Sequence, residues 1–239
     1  MLKILEWDSA FFGTTVGSLE WPYAPNSLEI EKFINNHHPS LIQSLCPVND
    51  VNYIHYLEVI GFRLADVKIT FKTDLKGTYM KSEYVRKAKI KDFTSLHSMM
   101  DNLFEDSRYY GYEEVFKHSQ ANELYRTWIE RSIKGQLDSY CLVYELANRI
   151  AGFITVKENG REKASIGLIG THPAFRKMGI ATTLLNDAMQ RLQEKEVHLL
   201  NVSTQGKNNI AQNLYIANGF QMESISLWYY LVNNSEILK

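Results

Sequence analysis

The stretch Ile166-Gly-Leu-Ile-Gly-Thr-His-Pro-Ala-Phe-Arg-Lys-Met-Gly-Ile-Ala181 decides the fold of this chain. An apolar, β-prone run ends in a turn at Pro173, and a basic loop with Gly179 then leads directly into a helical pattern. Apolar residues at helical spacing mark the buried face of that helix: Ile180, Leu184, Leu185, Ala188, Met189 and Leu192. A strand, a short loop and a helix N-terminus in this order predict an anion site, because free backbone N–H groups and the helix dipole both favour negative charge.

The composition of the loop suits a pyrophosphate. Gly179 and Ala181 carry little side chain, so an anion can approach the backbone, while Arg176 and Lys177 add positive charge. Met178 must then point away from the anion. Taken alone, the pattern also fits an ordinary strand-to-helix turn. The segment nevertheless resembles the Arg/Gln-x-x-Gly-x-Gly/Ala signature of the GCN5-related N-acetyltransferases (GNAT), a superfamily that binds acetyl-CoA.

A second motif follows the predicted helix. Leu199 to Thr204 reads as an apolar strand, and the next run reads as a helix with Asn208 as N-cap and Gly219 as C-terminal cap. This run resembles the Asn-x-x-Ala-x-x-Leu-Tyr-x-x-x-Gly-Phe segment of the same superfamily, and a last alternating strand begins at Phe220. The two motifs in this order imply an α/β fold with a mixed sheet, namely the GNAT acyl-CoA N-acyltransferase fold.

The region before these motifs has the element order of that fold. A strand is predicted near Glu83 to Ala88, followed by two amphipathic helices, the second ending at Gly135. The segments Tyr140 to Leu146 and Ile150 to Lys157 predict a β-hairpin that turns about Ala147-Asn-Arg149.

Composition excludes several classes of protein. The chain has 239 residues, of which 45% are hydrophobic, and a net charge of −1, which is typical of a globular protein and leaves no basic surface for nucleic acid. No apolar run is long enough to span a bilayer, and residues 1–13 include acidic residues that a signal peptide would lack. Cys46 and Cys141 are predicted to be buried, reduced thiols, and the histidines lack metal-ligand spacing. We therefore expect a cytoplasmic protein with no metal, no membrane partner and no nucleic-acid partner.

The chain also contains an internal repeat. Leu41 to Phe62 aligns without a gap with Leu199 to Phe220, and an alternating apolar strand follows both segments. Leu57 occupies the position of Tyr215, and no basic glycine loop precedes the first copy. We interpret residues 1–76 as a degenerate half-GNAT domain and residues 82–239 as the catalytic domain, with a linker around residues 73–81. The alternative is chance similarity between two β-α-β segments.

Further segments of the sequence point to one group of enzymes within this superfamily. Several segments resemble the dTDP-fucosamine acetyltransferases, which N-acetylate dTDP-4-amino-4,6-dideoxygalactose for surface polysaccharide. These segments are Trp7 to Gly13, Phe104 to Tyr110, Tyr125 to Glu130 with Gly135, Ser203 to Gly206, and Trp228 to Tyr230. Such a resemblance implies a sugar-nucleotide acceptor. Arg108 suits its diphosphate through paired N–H donors, and Tyr109 suits stacking on the base or sugar. A solvated loop is the alternative for this segment.

The resemblance also implies roles for individual residues. The pantetheine arm of acetyl-CoA would lie along the backbone of Leu168, Ile169, Gly170 and Thr171. The pyrophosphate would lie on the amides of Arg176, Lys177, Met178, Gly179, Ile180 and Ala181. Asn208 would steady the cofactor. Tyr215 would be the general acid, because a phenol with a pKa of about 10 stays protonated at neutral pH. The alternative for Tyr215 is a core aromatic ring.

Direct attack of an amine on the thioester needs no Ser-His-Asp or Cys-His constellation. The general base is not identified: Glu105, Asp106 and Glu158 are candidates by residue type, and water is another. The acceptor could instead be a protein N-terminus, a polyamine or an antibiotic amine. A CoA-sensing module without catalysis is the alternative from another class, and the oligomeric state, a homodimer included, stays open.

Overall fold

The computed structural model describes residues 1–101 and 103–233. Its strands are β1 (Leu2–Ile4), β2 (Val16–Glu20), β3 (Leu41–Pro47), β4 (Arg63–Asp74), β5 (Val85–Lys87), β6 (Tyr140–Leu146), β7 (Arg149–Glu158), β8 (Lys163–Thr171), β9 (Leu199–Gln205) and β10 (Gln221–Val232). Its α-helices are α1 (Glu6–Phe12), α2 (Ser27–His37), α3 (Val51–Val59), α4 (Phe93–Met100), α5 (His118–Ile133), α6 (Ile180–Gln193) and α7 (Asn209–Ala217). A 3₁₀ turn covers Arg108–Gly111 between α4 and α5.

The strands form one mixed sheet in the order β1-β2-β3-β10-β4-β9-β8-β7-β6-β5. The pairs β2–β3 and β8–β9 are parallel, and the other neighbours are antiparallel. The predicted α/β fold with a mixed sheet is therefore confirmed. No helix within these described ranges has the length and apolar character needed to cross a bilayer.

The two halves of the chain exchange their last strands. Strand β4 lies between β9 and β10, and β10 lies between β3 and β4. The ladder between β4 and β9 and the ladder between β10 and β3 have the same register. Lys68 pairs with Gln205, and the residues equivalent to them in the repeat, Ser226 and Pro47, also pair with each other. In the central ladder Lys68 pairs with Ser226, and a bulge interrupts the pairing on each side of them. The segments predicted as separate units thus share one continuous sheet. The segment predicted as catalytic also includes residues 102 and 234–239, which lie outside the described ranges.

Capping residues explain why α3 and α7, the equivalent helices of the repeat, begin and end at equivalent positions. Asp50 Oδ1 accepts a hydrogen bond from the Tyr53 N–H at 3.1 Å and caps α3, as Asn208 Oδ1 caps α7. Both helices are followed by glycine with positive φ, +93° at Gly61 and +83° at Gly219. The predicted capping roles of Asn208 and Gly219 are confirmed.

Some predicted boundaries shift. Thr73 and Asp74 were expected in a linker, but they extend β4 because they pair with Leu200 and Leu199 of β9. The hairpin turn is shorter than expected and consists of residues 147 and 148, whose φ values of 48° and 61° are those of a tight hairpin turn. The strand predicted near Glu83 to Ala88 is confined to Val85–Lys87.

Helices cover both faces of the sheet. Alternate residues of β6 separate the two layers: Leu142 belongs to the core beneath α6 and α7, whereas Cys141 and Val143 belong to the core beneath α4 and α5. Cys46 and Cys141 are both free and buried, as predicted. Side chains along a strand point alternately to the two faces of the sheet, so Phe71 and Lys68 of β4 lie on opposite faces. Phe71 belongs to the core beneath α6 and α7.

Candidate active site

The loop before α6 presents unpaired backbone N–H groups. Gly179 precedes the helix with φ +75°, and no side chain caps the helix. Lys177 also has positive φ, at +64°. The Arg176 N–H bonds to Pro173 O at 3.3 Å, whereas the N–H groups of residues 177–182 have no acceptor among the described residues. These free amides and the helix dipole are the features that the prediction of an anion site requires.

Side chains leave this site open. A Cβ at Gly179 would meet no protein atom within 4 Å, and the φ of +75° is a conformation that favours glycine. Met178 is 58% exposed, and Arg176 and Lys177 are exposed beside it. Gly152 lets the helix lie close to the sheet, because a Cβ there would lie 2.8 Å from Ile180 Cγ2.

A gap opens between β8 and β9 in front of this loop. Their parallel ladder runs from Lys163 opposite Leu199 to Ile166 opposite Val202 and then stops. Beyond this point β8 stays paired with β7 through Thr171, and β9 stays paired with β4 through Gln205. The edge of β8 at residues 167–171 therefore faces an opening that leads to the N-terminus of α6. This segment includes the four residues predicted to line the pantetheine arm.

Tyr215 lies in α7 and Asn208 caps the N-terminus of that helix, on the α6 face of the sheet. Tyr215 is 3% exposed, and its ring packs 5.8 Å from the ring of Phe71 and 5.7 Å from that of Phe220. Burial raises the pKa of the Tyr215 phenol, and its hydroxyl makes no hydrogen bond with another described residue. The hydroxyl is therefore protonated at neutral pH and free to donate. Asn208 uses Oδ1 for the cap, at 3.0 Å from the Ala211 N–H, which leaves its amide N–H₂ for other partners.

Arg108 links two of the segments on which the resemblance to dTDP-fucosamine acetyltransferases rests, Phe104 to Tyr110 and Trp228 to Tyr230. Its Nη1 donates to Gln43 Oε1 at 2.8 Å and to the Tyr230 hydroxyl, and its Nη2 donates to the Tyr109 hydroxyl at 2.9 Å. The guanidinium carbon lies 4.0 Å from the centre of the Trp228 ring. All these partners are neutral, and within the described residues no carboxylate lies within ion-pair distance of Arg108. The cation is thus held rigidly without being neutralised by direct contact.

Charged groups surround this guanidinium at longer range. Lys68 of β4 is partly buried, and burial together with Arg108 lowers its pKa. Burial raises the pKa of the carboxyls of Asp8 and Asp66, and the positive charge of Arg108 opposes that rise. Cationic side chains and carboxyl groups therefore lie together on the face of the sheet that α1 and α5 cover.

Tyr109 has closer neighbours than a free stacking platform would have. Its ring stacks on Phe12 at 5.6 Å, meets Phe116 edge-on at 5.1 Å and lies 4.5 Å from the guanidinium carbon of Arg108. The contacts with Phe12 and Phe116 hold the Tyr109 ring in place, and the Tyr109 hydroxyl in turn orients Arg108 by accepting its hydrogen bond. Sequence reasoning did not single out Gln43 and Lys68, because each reaches the site through strand pairing that no local pattern reveals.

The candidate bases lie in different surroundings. Glu158 forms an ion pair with Lys195 and pairs with Ala164, at the end of β8 remote from residues 176–181, the anion loop. Glu105 and Asp106 are exposed in the turn before Arg108. His172 Nδ1 accepts a hydrogen bond from the Ala174 N–H at 3.1 Å, as expected of a turn residue. The described residues contain no cluster of three or more His, Cys, Asp or Glu side chains that could hold a metal ion.

Comparison with known proteins finds that this chain is similar to acetyltransferases. A model of the acetyltransferase (GNAT) family matches residues 97–220. Acetyltransferase SG1711 of Sodalis glossinidius (strain morsitans) is 28% identical over 122 residues, which are 48% of this chain and 84% of that protein.

Solved structures share the fold at low sequence identity. The GCN5-related N-acetyltransferase from Sphaerobacter thermophilus has a TM-score of 0.67 at 14% identity and covers 96% of this chain and 75% of its own. A tandem GNAT protein from the clavulanic acid biosynthesis pathway has a TM-score of 0.61 at 12% identity, covering 92% of this chain and 75% of its own.

Proposed function

The chain belongs to the acetyltransferase (GNAT) family, and we propose that it transfers the acetyl group of acetyl-CoA to the amine of a nucleotide-activated amino sugar. The acceptor would be of the dTDP-4-amino-4,6-dideoxyhexose type, and the product would serve surface-polysaccharide synthesis. Two reduced cysteines favour a cytoplasmic site of action. That the chain is an N-acetyltransferase follows from the family; the sugar acceptor rests on the Arg108 cluster and on the sequence resemblance.

The residues present fit acetyl-CoA. The free amides of residues 177–182 suit its pyrophosphate, and Arg176 and Lys177 add charge from the rim of the loop. Leu168, Ile169, Gly170 and Thr171 would line the pantetheine arm along the open edge of β8, with the Leu168 N–H already bonded to Thr155. The free amide N–H₂ of Asn208 would hold the same arm near Tyr215.

Acetyl-CoA supplies a thioester, whose carbonyl carbon forms a bond to the amine nitrogen while the bond to sulfur breaks. The amine loses one proton and the departing thiolate gains one, so the reaction balances without another reactant. Tyr215 would donate the proton to sulfur, because its buried phenol is protonated and has no described hydrogen-bond partner. Tyr215 would recover its proton from solvent after each turnover.

Arg108 carries the proposal for the acceptor. A guanidinium that touches only neutral groups keeps its attraction for an anion, and Lys68 adds a second positive charge nearby. A diphosphate matches these two cations, whereas a polyamine would depend on the nearby carboxyls of Asp8 and Asp66. The ring of Trp228, on which Arg108 lies, offers an aromatic edge for the base or sugar.

We propose that residues 1–76 form a degenerate half-GNAT domain that builds the acceptor site. This segment contributes Gln43, Lys68 and the exchanged strand β4. The likeness to a protein described as a tandem GNAT supports a duplication, and Leu57 at the Tyr215 position supports the loss of chemistry from the first copy.

The experiment that tests this function measures CoA thiol release with a panel of acceptors. We expect dTDP-4-amino-4,6-dideoxyhexoses to be acetylated, and Arg108→Gln to raise the KM for them at least tenfold while acetyl-CoA affinity stays unchanged. Faster turnover of a peptide N-terminus, a polyamine or an antibiotic amine would replace the sugar acceptor. Binding of acetyl-CoA without turnover of any amine would favour the CoA-sensing alternative.

A further inference from the structure

The ladder between β7 and β8 contains a bulge at the point where β8 leaves β9. Ile154 pairs with Ile169 and Val156 pairs with Ile166, so Thr155 alone stands opposite Gly167 and Leu168. The parallel ladder to β9 ends at the neighbouring residue, Ile166. The bulge and the mouth of the gap between β8 and β9 therefore coincide.

A side chain, and not the strand ladder, satisfies the backbone of the bulge. The Leu168 N–H donates to Thr155 Oγ1 at 2.8 Å. Thr155 is completely buried, so no water can replace its hydroxyl as acceptor. A buried N–H without a partner destabilises the conformation that contains it. The hydroxyl of Thr155 thus stabilises the bulged form of β8 against a regular strand.

A buried carboxylate supports the bulge from the α5 side. Asp138 is 3% exposed, and its Oδ2 accepts from Trp128 Nε1 at 2.9 Å and from Ser132 Oγ at 2.8 Å. A Cβ on Gly167 would lie only 2.5 Å from that oxygen and 2.7 Å from Thr155 Oγ1. Gly167 therefore packs directly against these two polar groups, and no other residue type fits there unless one of them moves.

We propose that Thr155 and Asp138 are positioning residues for acetyl-CoA, because they fix the bulge that separates β8 from β9 and so hold open the gap for the thioester arm. This role rests on the proposed binding of acetyl-CoA in that gap. Neither residue belongs to the family motifs in the sequence, and neither is required to touch the ligand. They act by setting the backbone position of Gly167 and Leu168.

Replacement of Thr155 by Val tests the proposal, because the shape of the side chain is kept and only the acceptor is lost. We expect acetyl-CoA to bind the Thr155→Val variant roughly 10- to 100-fold more weakly by calorimetry, the size expected for one unpaired buried N–H. Thr155→Ser, which restores the hydroxyl, should return the affinity to within about threefold of wild type. Thr73→Val on β4 is the matched control, since Thr73 is also a buried strand residue but lies outside the gap.

The outcomes separate this inference from the proposed function. If the wild-type protein does not bind acetyl-CoA, the proposed function fails. If wild type binds and Thr155→Val binds equally well, or if Thr155→Ser is impaired as much as Thr155→Val, only the positioning role is overturned. Hydrogen exchange on the wild-type protein provides a test that does not depend on the folding of a variant. The Leu168 amide should be protected like a core amide, and fast exchange would overturn the role of Thr155.

Discussion

Tyr215→Phe isolates the proposed proton donor because it removes one oxygen and keeps the ring. The ring provides the contacts with Phe71 and Phe220, and these stay intact. The hydroxyl makes no hydrogen bond with another described residue, so its removal breaks none of the bonds that hold the fold. We therefore expect the free energy of unfolding to change by less than about 1 kcal/mol. The repeat points the same way, since apolar Leu57 fills the equivalent buried position.

The expected loss of turnover is much larger. A general acid contributes about 10²- to 10⁴-fold to the rate of such a step, so kcat should fall by that factor with acetyl-CoA affinity unchanged. A donor with a more acidic leaving thiol should show a smaller loss, because its thiolate needs less protonation. Burial raises the pKa of Tyr215, so the wild-type phenol loses its proton only above its usual value of about 10. Wild-type turnover should therefore show no decline from this group below about pH 10.

Thiol release under saturating substrates, with thermal unfolding measured in parallel, checks this prediction. Tyr53→Phe in α3 is the matched control, since the Tyr53 hydroxyl donates to Tyr23 O at 2.9 Å. That control should lose about 0.5–1.5 kcal/mol of stability and none of the turnover. Turnover of Tyr215→Phe within about threefold of wild type, under conditions where chemistry limits the rate, would refute the role of Tyr215 as proton donor.

Three further predictions follow from the anion loop, an ion pair and the thiols. Gly179→Glu should abolish acetyl-CoA binding in calorimetry, because it places a carboxylate at the anion site. Gly179→Ala is the control and should lose only a little affinity, because alanine is strained at the φ of +75°. If Gly179→Glu binds acetyl-CoA as tightly as wild type, the anion site is wrong. Asp92 bonds to Arg86 at 2.7 Å and 3.0 Å, which lowers the pKa of its carboxyl, so Asp92→Asn should cost about 1–3 kcal/mol at pH 7. Because a depressed carboxyl pKa stabilises the fold above about pH 4 and this contribution is lost as pH falls through the folded value, denaturant titrations of the two proteins should converge in acid. Burial raises the pKa of Cys46 to about 11 and raises that of Cys141 too, so neither thiol should react with a thiol reagent at pH 8 until the protein unfolds, and rapid native labelling would disprove their burial.

The sequence alone determined the features that depend on neighbouring residues. Helical spacing from Ile180 to Leu192 predicted α6, and the observed helix begins at Ile180 as expected. The caps at Asn208 and Gly219 were predictable because a side-chain oxygen and a left-handed glycine act within one turn of the backbone. The alignment of Leu41 with Leu199 also predicted the matching strand, helix and strand of the first half.

Only the tertiary structure decided which strands are neighbours and which side chains meet. Alternation in β4 and β10 shows that each is a strand with one buried face, but the backbone N–H and C=O groups of a strand can pair with any partner. The exchange of these strands therefore has no local signal, and it is what brings Lys68 and Gln43 to Arg108. The hydrogen bond from the Leu168 N–H to Thr155 could not be predicted for the same reason. Hydrogen bonds across a sheet join residues of neighbouring strands, and no periodic pattern in the sequence shows which residues these are.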